Sequence, residues 1–366
     1  MKPLTATTKL AFVVAVVLLG LFFLGPGCGE QAPPALLKLS GQTMGTTWNA
    51  TLVGPPATVD FQSAIQAAVE EVDRKMSTYR EDSELSRFNR ADAGESFRIS
   101  ILTLKVLGNA LTLAEKSGGA FDPTILPLVE GWGFGAGDGV EQPSAEQIAE
   151  WQSQMGWQHL SIGERSPSSE VEAGTSPTLN STTFPIEKTK AGLRVDLSAN
   201  AKGFGVDHAA TAIQSNGCSN FLIEVGGELR ASGRKADGTA WRIGIDRPKD
   251  DLFAPRDLQQ VLEVGNWSVA TSGDYRNYRE VDGKRISHLI DPRTGYPITH
   301  NLASVTVIAK DCMTADGLAT AITILGVEQG LKLLEQYPQT HAYFILRDGD
   351  GFQVRESVGF QAFKVD

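Results

Sequence analysis

The 366-residue sequence predicts a mixed α/β fold in which largely antiparallel or mixed sheets are flanked by helices. Three observations carry this expectation. Apolar residues recur at helical spacing in some segments, they alternate or run together as strands in others, and the two kinds are interspersed along the chain. No G-x-G-x-x-G stretch follows a strand, so a Rossmann dinucleotide site is not expected.

The first residues are a leader. Lys2 and Lys9 precede an uncharged apolar run over 10–24, short for a membrane span and of the right length for the core of a signal peptide. Small residues lead into Cys28, which points to a lipoprotein signal: residues 1–27 are removed and Cys28 carries the acyl chains. Leu24 stands four residues before Cys28 rather than three, and Pro26 is unusual there, so an uncleaved anchor and ordinary cleavage are the alternatives. Each reading exports the chain, and the lipoprotein reading places it on the periplasmic face of the inner membrane. Residues 28–35 are then a tether and 36–366 the functional domain.

Losing residues 1–27 removes two lysines and no acid, which takes the net charge from −10 to −12. An acidic surface argues against a nucleic-acid partner. Cys218 and Cys312 remain, and no structural disulfide is expected.

Residues 36–53 alternate as a hairpin, with Gly41 and Gly45 where backbone turns or comes close to something. Phe61, Ile65, Ala68, Val69, Val72 and Met76 repeat at helical spacing over 60–77. A polar turn follows, carrying Tyr79, Ser83, Ser86 and Asn89. A second helix is expected over 100–117, with Leu104, Leu107, Leu111 and Ala114 as its buried stripe and Gly118–Gly119 as its stop. Pro123 then fixes Asp122 in an extended conformation. The stretch WGFGAGDG (132–139) has neither the lysine nor the strand-to-helix context of a phosphate loop. A short helix is expected over 144–155.

Residues 163–190 are rich in Ser, Thr, Glu and Pro and read as a flexible insertion between two strands. From 195 to 214 a short strand through Val195 and Leu197 runs into a helix with Ala209, Ala210 and Ile213 on one side. Residues 220–233 and 241–248 read as adjacent central strands, with Gly226 and Gly227 allowing close approach to a ligand. A helix over 327–337 and a hairpin over 342–354 close the chain; its RDGDG turn is too short for a calcium loop.

The chemistry centres on DCMTADGLATAITILG (311–326). Thr314 reads as an N-cap, which puts Asp316 at a helix start. Asp316 and Thr320 are four residues apart, so their oxygens lie on one helix face one turn apart. Two such donors can share a hard cation such as Mg²⁺, with phosphate welcome at the helix N-terminus. Asp316 capping the dipole and Thr320 bonding back to a carbonyl is the plainer alternative. His288, in the loop before this segment, is the candidate for proton transfer, since imidazole is an unprotonated base at neutral pH.

In chain order the sequence also offers GQTMGTTW (41–48), MSTYREDSELSRFN (76–89), GGAFDPTI (118–125), VDLSANAKGFGVD (195–207), EVGGE (224–228), SGDYRNY (272–278), SHLIDPRTGYPI (287–298) and TADGLATA (314–321). These eight ordered blocks resemble the ApbE family, the FAD:protein FMN transferases, over nearly the whole mature chain.

The resemblance implies a flavin nucleotide lying in a cleft between two lobes. It implies FAD contacts at Met44, Tyr79, Ala120, Phe121, Asp122, Asp196, Lys202 and the backbone of Ile290. It also implies Mg²⁺ on Asp316, Thr320 and the Ala199 carbonyl. Lys202 could pair with the diphosphate or with a neighbouring carboxylate. The implied reaction is transfer of the FMN moiety of FAD to a Thr or Ser hydroxyl of a partner, releasing AMP, and family targets are membrane redox proteins carrying a short Ser/Thr motif. Water as the attacking group would make an FAD diphosphatase. An exported lipoprotein that binds flavin without chemistry, and a solute receptor, are the readings from other classes.

Overall fold

The computed structural model describes residues 34–135, 139, 142–163, 183–248, 257–274, 278–281 and 284–365. Cys28, the 1–27 leader and residues 164–182 lie outside them.

The hairpin forms as its alternation predicts, from β1 (Leu36–Thr43) and β2 (Thr46–Val53). Met44 and Gly45 both have positive φ, 47° and 70°, the pattern of the primed turns whose twist matches that of the flanking strands. Then come α1 (Phe61–Met76), α2 (Glu84–Arg90), β3 (Phe97–Ser100) and α3 (Ile101–Lys116). The six apolar residues expected on the inner face of α1 are all buried, and Asp60 caps it by accepting from the Ser63 N–H. In α3 the buried stripe runs through Leu102, Val106, Leu107, Ala110, Leu113 and Ala114, while Leu104 and Leu111 are only partly buried. This face packs against the helix Cys312–Leu334 in a shared core.

Next are α4 (Leu126–Gly131), α5 (Ala145–Ser153), β4 (Leu160–Ile162), β5 (Thr183–Lys188), α6 (Ser198–Ser215), β6 (Asn220–Val225), β7 (Glu228–Ser232), β8 (Arg242–Asp246) and β9 (Leu258–Glu263). The chain continues through β10 (Ser268–Gly273), β11 (Tyr278–Val281), β12 (Lys284–Ser287), β13 (Ile290–Asp291), β14 (Tyr296–Pro297) and β15 (Leu302–Ala309). It ends with α7 (Cys312–Leu334), β16 (His341–Asp348), β17 (Gly351–Glu356) and β18 (Lys364–Val365). Within α7, Gly326 adopts φ 74° and breaks the helix in two.

Eight strands form the main sheet in the order β1-β2-β6-β7-β10-β15-β16-β17, each neighbouring pair antiparallel. Every residue of β15 is buried. Val305, Val307 and Ala309 face a core shared with α3, α6 and α7, whereas Ile308 faces Trp241, Leu262 and Phe360. The sheet is therefore covered on both sides, and a strand buried on both faces reads as an unbroken apolar run.

Three expectations need correction. Residues 242–246 form a strand, but it sits at the edge of the separate sheet β18-β9-β8 rather than beside β7. Trp241 donates its indole N–H to the Ser232 carbonyl and packs on the far face of the main sheet; an apolar run announces a strand without naming its partner. The end of the supposed flexible insertion is β5, the middle strand of β3-β5-β4. Its polar composition hid it because a lysine occupies a buried position: Lys188 is satisfied by the carbonyls of Asn89 (2.8 Å) and Leu193 (3.0 Å). Finally, 195–197 forms no strand and joins no ladder, and Leu197, the N-cap of α6, has φ −109° and ψ 8°. The Asn89 side-chain amide bonds both backbone groups of Val195, each at 2.8 Å, in the place of a neighbouring strand.

Candidate active site

α7 begins earlier than its sequence suggests. Asp311, not Thr314, is the N-cap, accepting from the Thr314 N–H at 2.8 Å. Asp316 therefore lies one turn inside the helix, where its own N–H is already committed and its carboxylate is free to face a neighbour. That neighbour is α6. The Gly203 N–H donates to Asp316 Oδ2 at 2.9 Å. Only glycine fits at this crossing, since a Cβ on residue 203 would stand 2.3 Å from the Cys312 carbonyl oxygen and 2.8 Å from the Asp316 Cβ.

A second stitch holds the same two helices. Asp207 Oδ2 accepts from the backbone N–H groups of Cys312 (2.8 Å) and Met313 (3.0 Å), and its Oδ1 pairs with Arg230 at 2.7 Å. These N–H groups are the ones a helix start leaves without internal partners.

Asp316 is 5% exposed. Burial raises its pKa, the Lys202 ammonium opposes the rise, and the nearby Glu228 carboxylate adds to it, leaving the group pushed up to about 8. Lys202 Nζ lies 2.7 Å from Glu228 Oε1. Burial alone would lower the lysine, but the Asp316 and Glu228 charges outweigh that and hold it well above the ordinary ammonium range. Glu228 is itself raised by burial, with Lys202 acting against the rise. Its second oxygen, Oε2, is buried without a hydrogen-bond partner.

These groups line one cavity of about 720 Å³, within the range of small-molecule sites. Of the sequence-predicted residues, the cavity brings together Tyr79, Asp196, Ala199, Lys202, His288, Ile290, Asp316 and Thr320. Tyr79 is 69% exposed. Asp196 accepts from the Ser198 N–H and is raised by burial.

Four predicted residues are not on the cavity wall. Met44 reaches across to α6, close enough that a Cβ on Gly205 would be 2.9 Å from its Cε. Ala120 and Phe121 are buried, the latter in the helix-side core. Asp122 turns back on its own loop, accepting from the Thr124 N–H and hydroxyl at 2.8 and 2.6 Å, and burial raises it. This loop braces the site from behind, since the Pro123 carbonyl accepts from the Asp196 N–H at 2.7 Å. Cys28 lies outside the described residues.

Sequence reasoning passed over Glu228, Asp207 and Phe134. Glu228 closes EVGGE, and an acid directly after two glycines at a strand turn was a usable signal. Asp207 is one helical turn beyond Gly203, on the face that meets α7, which only the packing reveals.

The oxygen set suits a hard cation. Asp316 offers a carboxylate, Thr320 a hydroxyl and Ala199 a carbonyl. The Gly203 N–H, four residues beyond Ala199 on α6, donates to Asp316 Oδ2. Among the described residues no group of three or more His, Cys, Asp or Glu side chains could hold a metal ion. A cation here would depend on the mixed set.

Carboxylate, ammonium, hydroxyl and imidazole groups converging in one cleft of a mixed α/β scaffold define an enzyme active site. The chain belongs to the ApbE family, whose family model matches residues 44–344. It is 41% identical over 352 residues to an FAD:protein FMN transferase of Vibrio cholerae, covering 95% of this chain and 98% of that protein. It is 36% identical over 361 residues to the protein of the same name from Escherichia coli K12, covering 96% and 97%. Among solved structures, the flavin transferase ApbE from Vibrio cholerae superposes with a TM-score of 0.75 at 40% identity, over 90% of this chain and all of that one. The apo flavinyl transferase ApbE from Pseudomonas stutzeri gives 0.77 at 36% identity, over 91% and 98%.

Proposed function

We propose that this enzyme, a transferase, moves the FMN moiety of FAD onto a Thr or Ser hydroxyl of a partner protein and releases AMP. The observation that carries this reading is one cavity lined by His288 together with Asp316, Thr320, Ala199 and Lys202. The names of the relatives support the same donor and product.

Asp316, Thr320 and the Ala199 carbonyl would hold Mg²⁺. When bound, that ion would neutralise charge on the diphosphate and polarise the phosphorus under attack. Lys202, kept protonated by its two carboxylate neighbours, binds diphosphate oxygens. Tyr79 offers an exposed ring to stack on an aromatic part of FAD. His288 takes the proton as the hydroxyl oxygen attacks the FMN-side phosphorus, and the bond from that phosphorus to the AMP phosphate oxygen breaks. The flavin is left as a phosphoester on the partner.

The leader supports export with a lipid anchor at Cys28 on the periplasmic face of the inner membrane. Acceptors there would be membrane redox proteins carrying a Ser/Thr flavinylation motif.

The test follows AMP from FAD with and without Mg²⁺, chelator and an acceptor peptide bearing such a motif. AMP release that needs both Mg²⁺ and acceptor, and is lost in Asp316→Ala, supports transfer. Equal AMP release with and without acceptor would make water the acceptor and the enzyme a diphosphatase. FAD bound and unchanged throughout would leave a flavin-binding lipoprotein.

A further inference from the structure

The glycine-rich stretch at 132–139 has no part in the chemistry above, yet its described residues Gly133, Phe134 and Gly135 share the cavity wall with His288. The segment turns back from the end of α4. Trp132, Gly133 and Phe134 donate their backbone N–H groups to the carbonyls of Leu128, Glu130 and Val129, each at 2.9 Å, and Gly133 takes φ 75°. A left-handed glycine here is a common helix stop.

The turn directs two aromatic rings onto one neighbouring segment. Trp132, 7% exposed, donates its indole N–H to the Gly295 carbonyl at 2.9 Å and meets Tyr296 edge-on at 6.2 Å between centroids. Phe134 meets the His288 imidazole edge-on at 6.3 Å, with the rings 67° apart. Between these contacts Ile290 is buried with Leu128, Trp132, Ile148 and Met155. The segment from His288 to Tyr296 is thus gripped near both ends from one short turn.

We propose that Phe134 is a positioning residue for His288, and that its ring fixes the orientation of the imidazole over the cavity. An edge-on ring contact is directional, and a base displaced by about 1 Å can lose roughly 100-fold in rate. The proposal rests on His288 acting as the base.

The test uses the full chain in detergent. Histidine ring signals are recorded by NMR, with His288 assigned through His288→Gln, alongside kcat and FAD KM. The expected result has three parts. Phe134→Ala and Phe134→Leu move the His288 signals by removing the ring current. Both lower kcat roughly 10- to 100-fold, leave FAD KM within about twofold, and do not lower the rate of His288→Gln further. Phe134→Tyr, which keeps the ring, restores the His288 signals and most of kcat. His288 signals unmoved in Phe134→Ala or Phe134→Leu would overturn the proposal. So would a raised FAD KM with kcat kept, which would make Phe134 part of the flavin-binding wall. Full kcat in His288→Gln would instead remove the base reading on which the proposal rests, while the NMR arm separately decides whether the Phe134 ring stands against His288.

Discussion

Gly203 and Asp316 meet across the α6–α7 crossing, the backbone N–H of one donating to the carboxylate of the other at 2.9 Å. The contact fixes a candidate metal ligand to the helix whose first turn carries another, Ala199. Gly203→Ala would normally favour a helix interior by about 1 kcal/mol. Here its Cβ would collide with the Cys312 carbonyl, and overpacking of this kind costs about 1–3 kcal/mol. The substituted protein is expected to melt lower and to lose activity disproportionately. A melting temperature equal to or above that of the parent would contradict the close crossing.

Asp316 predicts a pH dependence. Its pKa in the folded chain, about 8, is raised above the ordinary value of 3.8. Between these values the folded state binds the extra proton, so the metal-free protein loses stability as pH rises from about 4 to about 8, by at most about 1.4 kcal/mol per unit. Below that window the contribution is fully present. Urea unfolding in chelator at several pH values checks this; Asp316→Asn should flatten that part of the profile. A parent slope unchanged in Asp316→Asn would assign the titration elsewhere.

Glu228 should be costly to truncate. It is 4% exposed and holds Lys202 at 2.7 Å. The Lys202 side chain keeps 34% exposure, so removing its partner should cost about 1–3 kcal/mol, less than the loss of one member of a fully buried pair. Glu228→Ala should lose stability on that scale in urea, with Glu228→Gln losing less because the amide oxygen can still accept from the ammonium. Equal stability of Glu228→Ala and the parent would show that the pair does not support the fold.

Asn89 acts as a substitute strand for Val195, the residue before Asp196. Asn89→Ala leaves one backbone donor and one acceptor without that amide, an expected loss of about 2–3 kcal/mol. FAD binding should weaken as well, because Asp196 moves with the segment. Calorimetric titration with FAD would detect it, and unchanged affinity would argue that Asp196 is held by the Pro123 carbonyl alone.

Local signals were legible and lateral ones were not. The buried face of α1 and the one-turn spacing of Asp316 and Thr320 follow from helical periodicity, which a sequence displays directly. The Lys202–Glu228 pair joins α6 to the start of β7, and nothing along the chain announces that these residues meet. The N-cap was misplaced because Asp311 and Thr314 are both good capping residues and only the hydrogen bond between them decides. β5 escaped notice because its buried Lys188 is satisfied by the carbonyls of Asn89, 99 positions away, and Leu193, which only folding brings to it. The position of Asp122 was legible only as a loop, and the structure turns its carboxylate onto Thr124 and away from the cavity.

The most direct measurement is the intact mass of an acceptor protein carrying a Ser/Thr motif after incubation with the enzyme, FAD and Mg²⁺. The acceptor is expected to gain the mass of one FMN phosphoester, matched by AMP and absent when the acceptor hydroxyl is replaced by alanine or the enzyme carries Asp316→Ala. An unmodified acceptor beside free FMN and AMP would contradict it.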